Sequence, residues 1–246
     1  MKDKVVLITG PARGIGEHVA RKLAARGARL ALVGREPELL ARLANELGPQ
    51  HVWVEADVTD QPGLERAVAQ SVSALGGIDV VVANAGIAAH GTVATTPARA
   101  MARVIEVNLI GAINTIYATL PHVTARRGYY LLVSSAAALA SSPGLAAYAA
   151  SKIGLEHFGN ALRIEVAHKG VDVGVAHPCW IDTDLVRDAS ADMASFRRMV
   201  SKLPGPFGSC HPSTTAPPRS SEPSRSASGK CSSRSRWPRS RPCANC

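Results

Sequence analysis

Short, almost wholly apolar runs alternate along the chain with longer amphipathic stretches. The runs K-V-V-L-I-T (residues 4–9), R-L-A-L-V-G (29–34), H-V-W-V-E-A (51–56), I-D-V-V-V-A (78–83), Y-Y-L-L-V-S (129–134) and V-D-V-G-V-A (171–176) have strand length and are rich in β-branched residues. The stretches between them carry apolar positions at helical spacing and predict helices near residues 14–26, 36–47, 62–75, 99–120 and 148–168. Apolar strands separated by helices of this length imply a parallel sheet covered on both faces, an α/β fold with a doubly wound sheet. Ligands of such sheets bind beyond the carboxyl ends of the strands, so residues just after each run are the ones to inspect.

Composition changes this picture only at the end of the chain. The 246 residues are 46% hydrophobic, enough for a substantial core, and one domain over residues 1–208 accounts for all the predicted elements. No uninterrupted apolar run reaches the roughly 18 residues of a membrane helix, and the apolar start is too short for a signal peptide. A cytoplasmic protein with no membrane partner is expected. The net charge of +9 would suggest a nucleic-acid partner, but seven of the 28 basic residues and only one of the 19 acidic ones lie in residues 209–246. The rest of the chain is nearly balanced, which argues against a nucleic-acid surface there.

Residues 209–246 contain eleven Ser, six Pro, six Arg and four of the five Cys, with no Leu, Ile, Val, Met, Phe or Tyr. Such a segment has nothing to bury and reads as a disordered basic tail, or as translation in a shifted reading frame. Cys243 and Cys246 have C-x-x-C spacing, but Cys210 and Cys231 supply no second pair, so no metal is expected. RNA binding through the Arg-Ser pattern around Arg234 is a third reading, and salt-dependent binding lost with the tail would mark it.

The candidate chemistry falls after the strands. Tyr148 and Lys152 in Y-A-A-S-K stand at i and i+4, on one helix face, so an ammonium can sit beside a phenol and favour its ionised form. A phenol with its pKa lowered from about 10 serves as a proton donor and acceptor near neutral pH. Ser135 lies thirteen residues upstream of Tyr148. The turn T-G-P-A-R-G-I-G places Gly10, Gly14 and Gly16 between the first strand and first helix, where a pyrophosphate can approach backbone N–H groups; alone, it is also an ordinary tight turn. Asp57 after the third strand can accept from an adenine amino group or simply form a turn. Asn84, Ala85 and Gly86 follow the fourth strand, and Asn108 in V-N-L-I-G is by default a polar residue satisfied inside a helix.

In order and together, these elements resemble the short-chain dehydrogenase/reductase family over roughly residues 4–205. The resemblance implies a Rossmann-like domain and hydride transfer between a nicotinamide and a carbonyl or secondary alcohol, without a metal. It assigns Tyr148 as general acid/base, Ser135 to the substrate oxygen, and Lys152 to the nicotinamide ribose while lowering the Tyr148 pKa. Asn108 would hold a water in a proton relay. The thirteen-residue offset selects Ser135 rather than its neighbour Ser134. The implied cofactor site takes Gly10, Arg13, Gly14, Ile15, Gly16, Arg35, Asp57, Val58, Asn84, Ala85, Gly86, Tyr148, Lys152, Pro178, Ile181 and Thr183.

The second strand ends in Gly34 and Arg35, not in an acidic residue, and Arg13 lies in the glycine turn; two guanidinium groups suit the 2′-phosphate of NADP over NAD, with Glu36 as an offset. H-P-C-W-I-D-T-D-L (177–185) resembles the family's segment after the sixth strand, with Cys179 where glycine is usual. Cys179 itself reads as a small buried residue, and His90 and Trp180 either line the substrate pocket or pack. A lid over residues 182–203, carrying Leu185, Val186, Met193, Phe196 and Met199, implies an apolar substrate, although Arg187, Arg197 and Arg198 also admit a carboxylate or thioester. The family is commonly oligomeric, and the tail replaces its last strand and helix. A nucleotide-binding protein without turnover is therefore the competing expectation.

Overall fold

The computed structural model describes residues 1–140 and 142–179. Six parallel strands form one sheet in the order β3-β2-β1-β4-β5-β6. They are β1 (Val5–Thr9), β2 (Arg29–Gly34), β3 (Val52–Glu55), β4 (Val80–Ala83), β5 (Tyr129–Val133) and β6 (Asp172–Ala176). The helices are α1 (Gly14–Ala24), α2 (Pro37–Leu47), α3 (Gln61–Leu75), α4 (Ala98–Ile105), α5 (Gly111–Ala125) and α6 (Ala146–Ala167). Each predicted strand and helix is present, with ends moved by a few residues.

The alternation of side chains along a strand divides the core in two. Val5 and Leu7 of β1, with Ala31 and Val33 of β2, face Leu64 and Val68 of α3, Ile116 of α5 and Leu155 and Leu162 of α6. Val6 and Ile8, with Leu30 and Leu32, face Ala20 of α1 and Leu40 and Leu43 of α2. The pairing Val6↔Leu30 and Ile8↔Leu32 keeps this division across neighbouring strands. Because both faces are covered, β1 has no polar alternation, and its burial is what holds the glycine turn after it in place. At the outer edge, β3 alternates half-buried and exposed residues, and Trp53 is 40% exposed.

One predicted helix is not continuous. Between α4 and α5 the chain widens into a π-helical turn at Glu106–Ile110, which rotates Asn108 into full burial. The whole stretch Ala98–Ala125 is long and apolar enough by composition to cross a membrane, yet half of its most apolar window is buried, and α5 packs against α3 and β4 as a core helix does.

Candidate active site

The order of the strands reverses beside β1, and the residues after β1 and β4 meet there. Thr9 Oγ1 accepts from the backbone N–H of Asn84 (3.1 Å) and of Ala85 (3.2 Å). The Asn84 amide Nδ2 in turn donates to Thr9 O (3.0 Å) and Gly10 O (2.9 Å). Asn84 thus fastens the glycine turn to the end of β4. Gly10 adopts φ +64, and a Cβ on it would lie 2.9 Å from Ala85 Cα. A Cβ on Gly16 would lie 2.6 Å from Asn84 Nδ2, so a side chain at either position would break the fastening. Helix α1 then begins at Gly14 and Ile15, with Arg13 extended at its N-cap and no side-chain cap. This shape fits a dinucleotide: its backbone is bare at Gly10 and Gly16, and its helix N-terminus is left to an anion.

The ends of β2 and β3 are charged. Arg13 Nη2 lies 3.2 Å from Glu36 Oε1, so the offset expected of Glu36 is realised on Arg13. Asp57 Oδ1 accepts from the Thr59 N–H and hydroxyl, both at 2.8 Å, in a side-chain turn. Its Oδ2 accepts from Arg103 Nη2 at 3.0 Å and lies 3.5 Å from Arg35 Nη1. Partial burial pushes the Asp57 carboxyl up, but the Thr59 bonds and the Arg103 and Arg35 charges outweigh it and bring it below the ordinary value. The next residue, Val58, is buried and its carbonyl accepts from Asn114 Nδ2 at 2.9 Å.

Beyond the end of β5 Ser135, Tyr148 and Lys152 come together. Ser135 follows β5 with its hydroxyl beside the Tyr148 phenol, and its Oγ accepts from the Ala137 N–H at 3.2 Å. Ser134 is turned away, donating to Lys152 O at 3.0 Å. The Lys152 ammonium donates to Val133 O at 2.8 Å and lies 5.6 Å from the centre of the Tyr148 ring. Burial draws Lys152 down to about 8. Burial raises the Tyr148 phenol, and Ser135 opposes this only in part.

That direction corrects the expectation that Lys152 holds Tyr148 low. The two groups share a helix face as the spacing required, but desolvation governs the phenol, opposed only by Ser135, while the Lys152 ammonium is aimed at a carbonyl.

Asn108 is fully buried and is satisfied by partners from outside its own helix. Its Oδ1 accepts from the Ile87 N–H (2.8 Å), and its Nδ2 donates to Ile87 O (2.9 Å) and Ser151 Oγ (3.0 Å). These bonds hold the loop after Gly86 against α6, and they occupy the side chain expected to hold a relay water. Pro178 follows β6 and its carbonyl accepts from the Ala136 N–H at 3.1 Å, beside Ser135. His177 pairs with Glu156, fastening the end of β6 to the helix that carries Tyr148. Ile181, Thr183, Trp180, the lid and residues 209–246 lie outside the described residues.

Several contributors escaped sequence reasoning. Thr59 was findable, because Asp-x-Thr after a strand is a turn pattern. Thr9 opens the T-G-P-A-R-G-I-G turn itself. Arg103 carried no local signal, and Ser151 stands in Y-A-A-S-K with nothing there to mark its bond to Asn108, since the partners are 46 and 43 residues away.

A parallel sheet with a glycine turn at its strand-order reversal, and a Ser-Tyr-Lys group on the same edge, defines an NAD(P)-dependent oxidoreductase of the doubly wound class. A model of the short chain dehydrogenase family matches residues 4–194. The chain belongs to that family. Among its relatives, a 3-oxoacyl-[acyl-carrier-protein] reductase from Bos taurus is 34% identical over 192 residues, 78% of this chain and 81% of the relative. The chain spans as little as 15% of other curated relatives that it matches. Similar solved structures include an alcohol dehydrogenase from Thermococcus sibiricus complexed with 5-hydroxy-NADP, with TM-score 0.72, 30% identity, and 74% and 79% of the two chains covered. A 3-ketoacyl-(acyl-carrier-protein) reductase from Brucella melitensis complexed with NADH is similar with TM-score 0.78, 28% identity, and 87% of each chain covered.

Proposed function

We propose that this chain reduces a carbonyl, or oxidises the corresponding secondary alcohol, of a substrate with apolar flanks, and that it prefers NADP to NAD. The observation that carries the reading is the gathering of Ser135, Tyr148 and the buried Lys152, whose ammonium lies 5.6 Å from the centre of the phenol ring, on the edge that carries the glycine turn. When bound, the nicotinamide supplies or accepts the hydride. Gly10, Gly14, Ile15 and Gly16 present backbone to the pyrophosphate, and Val58, Asn84, Ala85 and Gly86 line the path towards the reacting centre.

In the reducing direction Tyr148 Oη gives its proton to the substrate oxygen while Ser135 Oγ hydrogen-bonds that oxygen. The raised phenol keeps this proton in place at neutral pH. Lys152 Nζ holds the nicotinamide ribose. Arg35 and Arg13 favour a 2′-phosphate by charge, and both are well exposed. Leu185, Val186, Met193, Phe196 and Met199, expected from the sequence to lie over the substrate, support its apolar class. The deciding experiment titrates the full-length protein with NADPH and NADH and then screens apolar ketones. Saturable binding with NADPH preferred, followed by turnover, is expected. Binding without turnover of any ketone or alcohol would favour a nucleotide-binding protein instead.

A further inference from the structure

Arg103 belongs to none of the motifs, yet its guanidinium makes three polar contacts at the end of the sheet where β2 and β3 finish. From α4 it donates to Asp57 Oδ2 (3.0 Å), to Thr59 Oγ1 (3.0 Å) and to Glu106 Oε2 (3.2 Å). Asp57 Oδ2 is also the oxygen nearest Arg35 Nη1, at 3.5 Å. The other oxygen of Asp57 is already taken twice by Thr59. One carboxylate oxygen therefore stands between two cations that compete for it.

The competition is unequal. Arg103 is anchored at a shorter distance and by a second bond to Thr59, and its side chain is 37% exposed. Arg35 is 61% exposed and reaches Asp57 only at the longer distance. An anchored Arg103 neutralises Asp57, so the charge of Arg35 is left for another anion. Without Arg103, Asp57 would draw Arg35 onto itself, and its unbalanced charge would repel any phosphate placed beside Arg35.

We propose that Arg103 is a specificity-determining residue for the cofactor: by occupying Asp57 it leaves Arg35 free to pair with the 2′-phosphate of NADP. It acts through Asp57 and Arg35 and need not touch the cofactor. The inference rests on the reading that Arg35 faces that phosphate. Glu106 has the opposite influence, because it draws Arg103 from the other side and adds negative charge, and its side chain is 54% exposed.

The test measures dissociation constants of NADPH and NADH for the full chain and for Arg103→Gln, Arg103→Lys, Glu106→Gln and Arg35→Gln, with unfolding temperature recorded for each. In R103Q the NADPH preference is expected to fall about tenfold while NADH affinity stays within about threefold. In E106Q the preference is expected to rise roughly two- to threefold, and R103K should keep most of it. An unchanged ratio in R103Q overturns the inference. Equal loss of both cofactors overturns it too, since that is the signature of a purely structural tie. Should R103Q fail to fold, E106Q decides, and a flat or reduced preference there overturns it. If R35Q abolishes a preference that R103Q leaves intact, the inference alone fails. If the unmodified protein does not prefer NADPH, the underlying reading fails with it.

Discussion

At the scale of single residues, the site depends on proton positions set by burial. The Tyr148 phenol is held above its usual value and Lys152 is drawn down to about 8. Replacing Tyr148 with Phe removes the donor without opening space for the cofactor to move. The turnover number is expected to fall about 10²- to 10⁴-fold with NADPH affinity nearly unchanged, as single-turnover kinetics and a binding titration would show. Lys152 carries its charge below about pH 8 and loses it above. The rate of ketone reduction at low substrate should therefore be level below about pH 8 and decline above it, and a profile level to pH 10 would remove Lys152 from the mechanism. Ser135 is picked out in the sequence by its offset from Tyr148, a local count, and in the folded protein its hydroxyl lies beside that phenol. The phenol's raised pKa was not legible, because desolvation depends on everything packed around it rather than on a neighbour four residues away.

Among the elements, two strand ends illustrate what holds the frame. His51 lies just before β3, buried, and its Nδ1 accepts from the Leu30 N–H of β2 at 3.1 Å. Burial lowers its pKa, so the folded protein keeps the ring neutral where the unfolded chain, near 6.5, already takes a proton. The stability from this neutral ring is complete above about pH 6.5 and is lost as pH falls below it, by at most about 1.4 kcal/mol per pH unit. Thermal unfolding between pH 7 and 5 should fall less steeply in His51→Asn, whose amide oxygen can take the place of Nδ1. The second strand end is that of β1. Gly16→Ala would set a Cβ 2.6 Å from Asn84 Nδ2, displacing the amide that holds Thr9 and Gly10. Loss of cofactor affinity by about tenfold or more, with stability down by about 1–3 kcal/mol, is the expected result in titration and denaturant melts. The glycines were legible as a turn, whereas their fastening by Asn84 from 74 residues away was not.

For the whole molecule, ligand and stability are coupled. A cofactor seated where the strand order reverses touches the ends of several strands at once and binds only when they are assembled. NADPH at about one hundred times its dissociation constant should raise unfolding free energy by about 2.7 kcal/mol and the midpoint by roughly 5–10 °C. Scanning fluorimetry would show this, and an absent shift at saturating NADPH would mean that the site does not bind it.

The alternation of apolar runs and amphipathic stretches was sufficient to place the six strands and the helices between them, with α4 and α5 read as one, since period 2 and period 3.6 are written in neighbouring residues. The residues of the Ser-Tyr-Lys group were likewise determined by local spacing, with each partner carried on a strand end or a single helix face. The sequence missed the π-helical turn, because the residues around Asn108 look helical and only Ile87 and Ser151, brought near by folding, give its amide a reason to turn inward. It also missed Arg103, whose partner Asp57 becomes a neighbour only when β3 and α4 are placed on one edge. Local pattern thus determined the elements and picked out the candidate reacting groups. Their protonation and the charge balance around Asp57 were decided by the tertiary structure, because burial and long-range ion pairs exist only once the sheet has set which ends lie side by side.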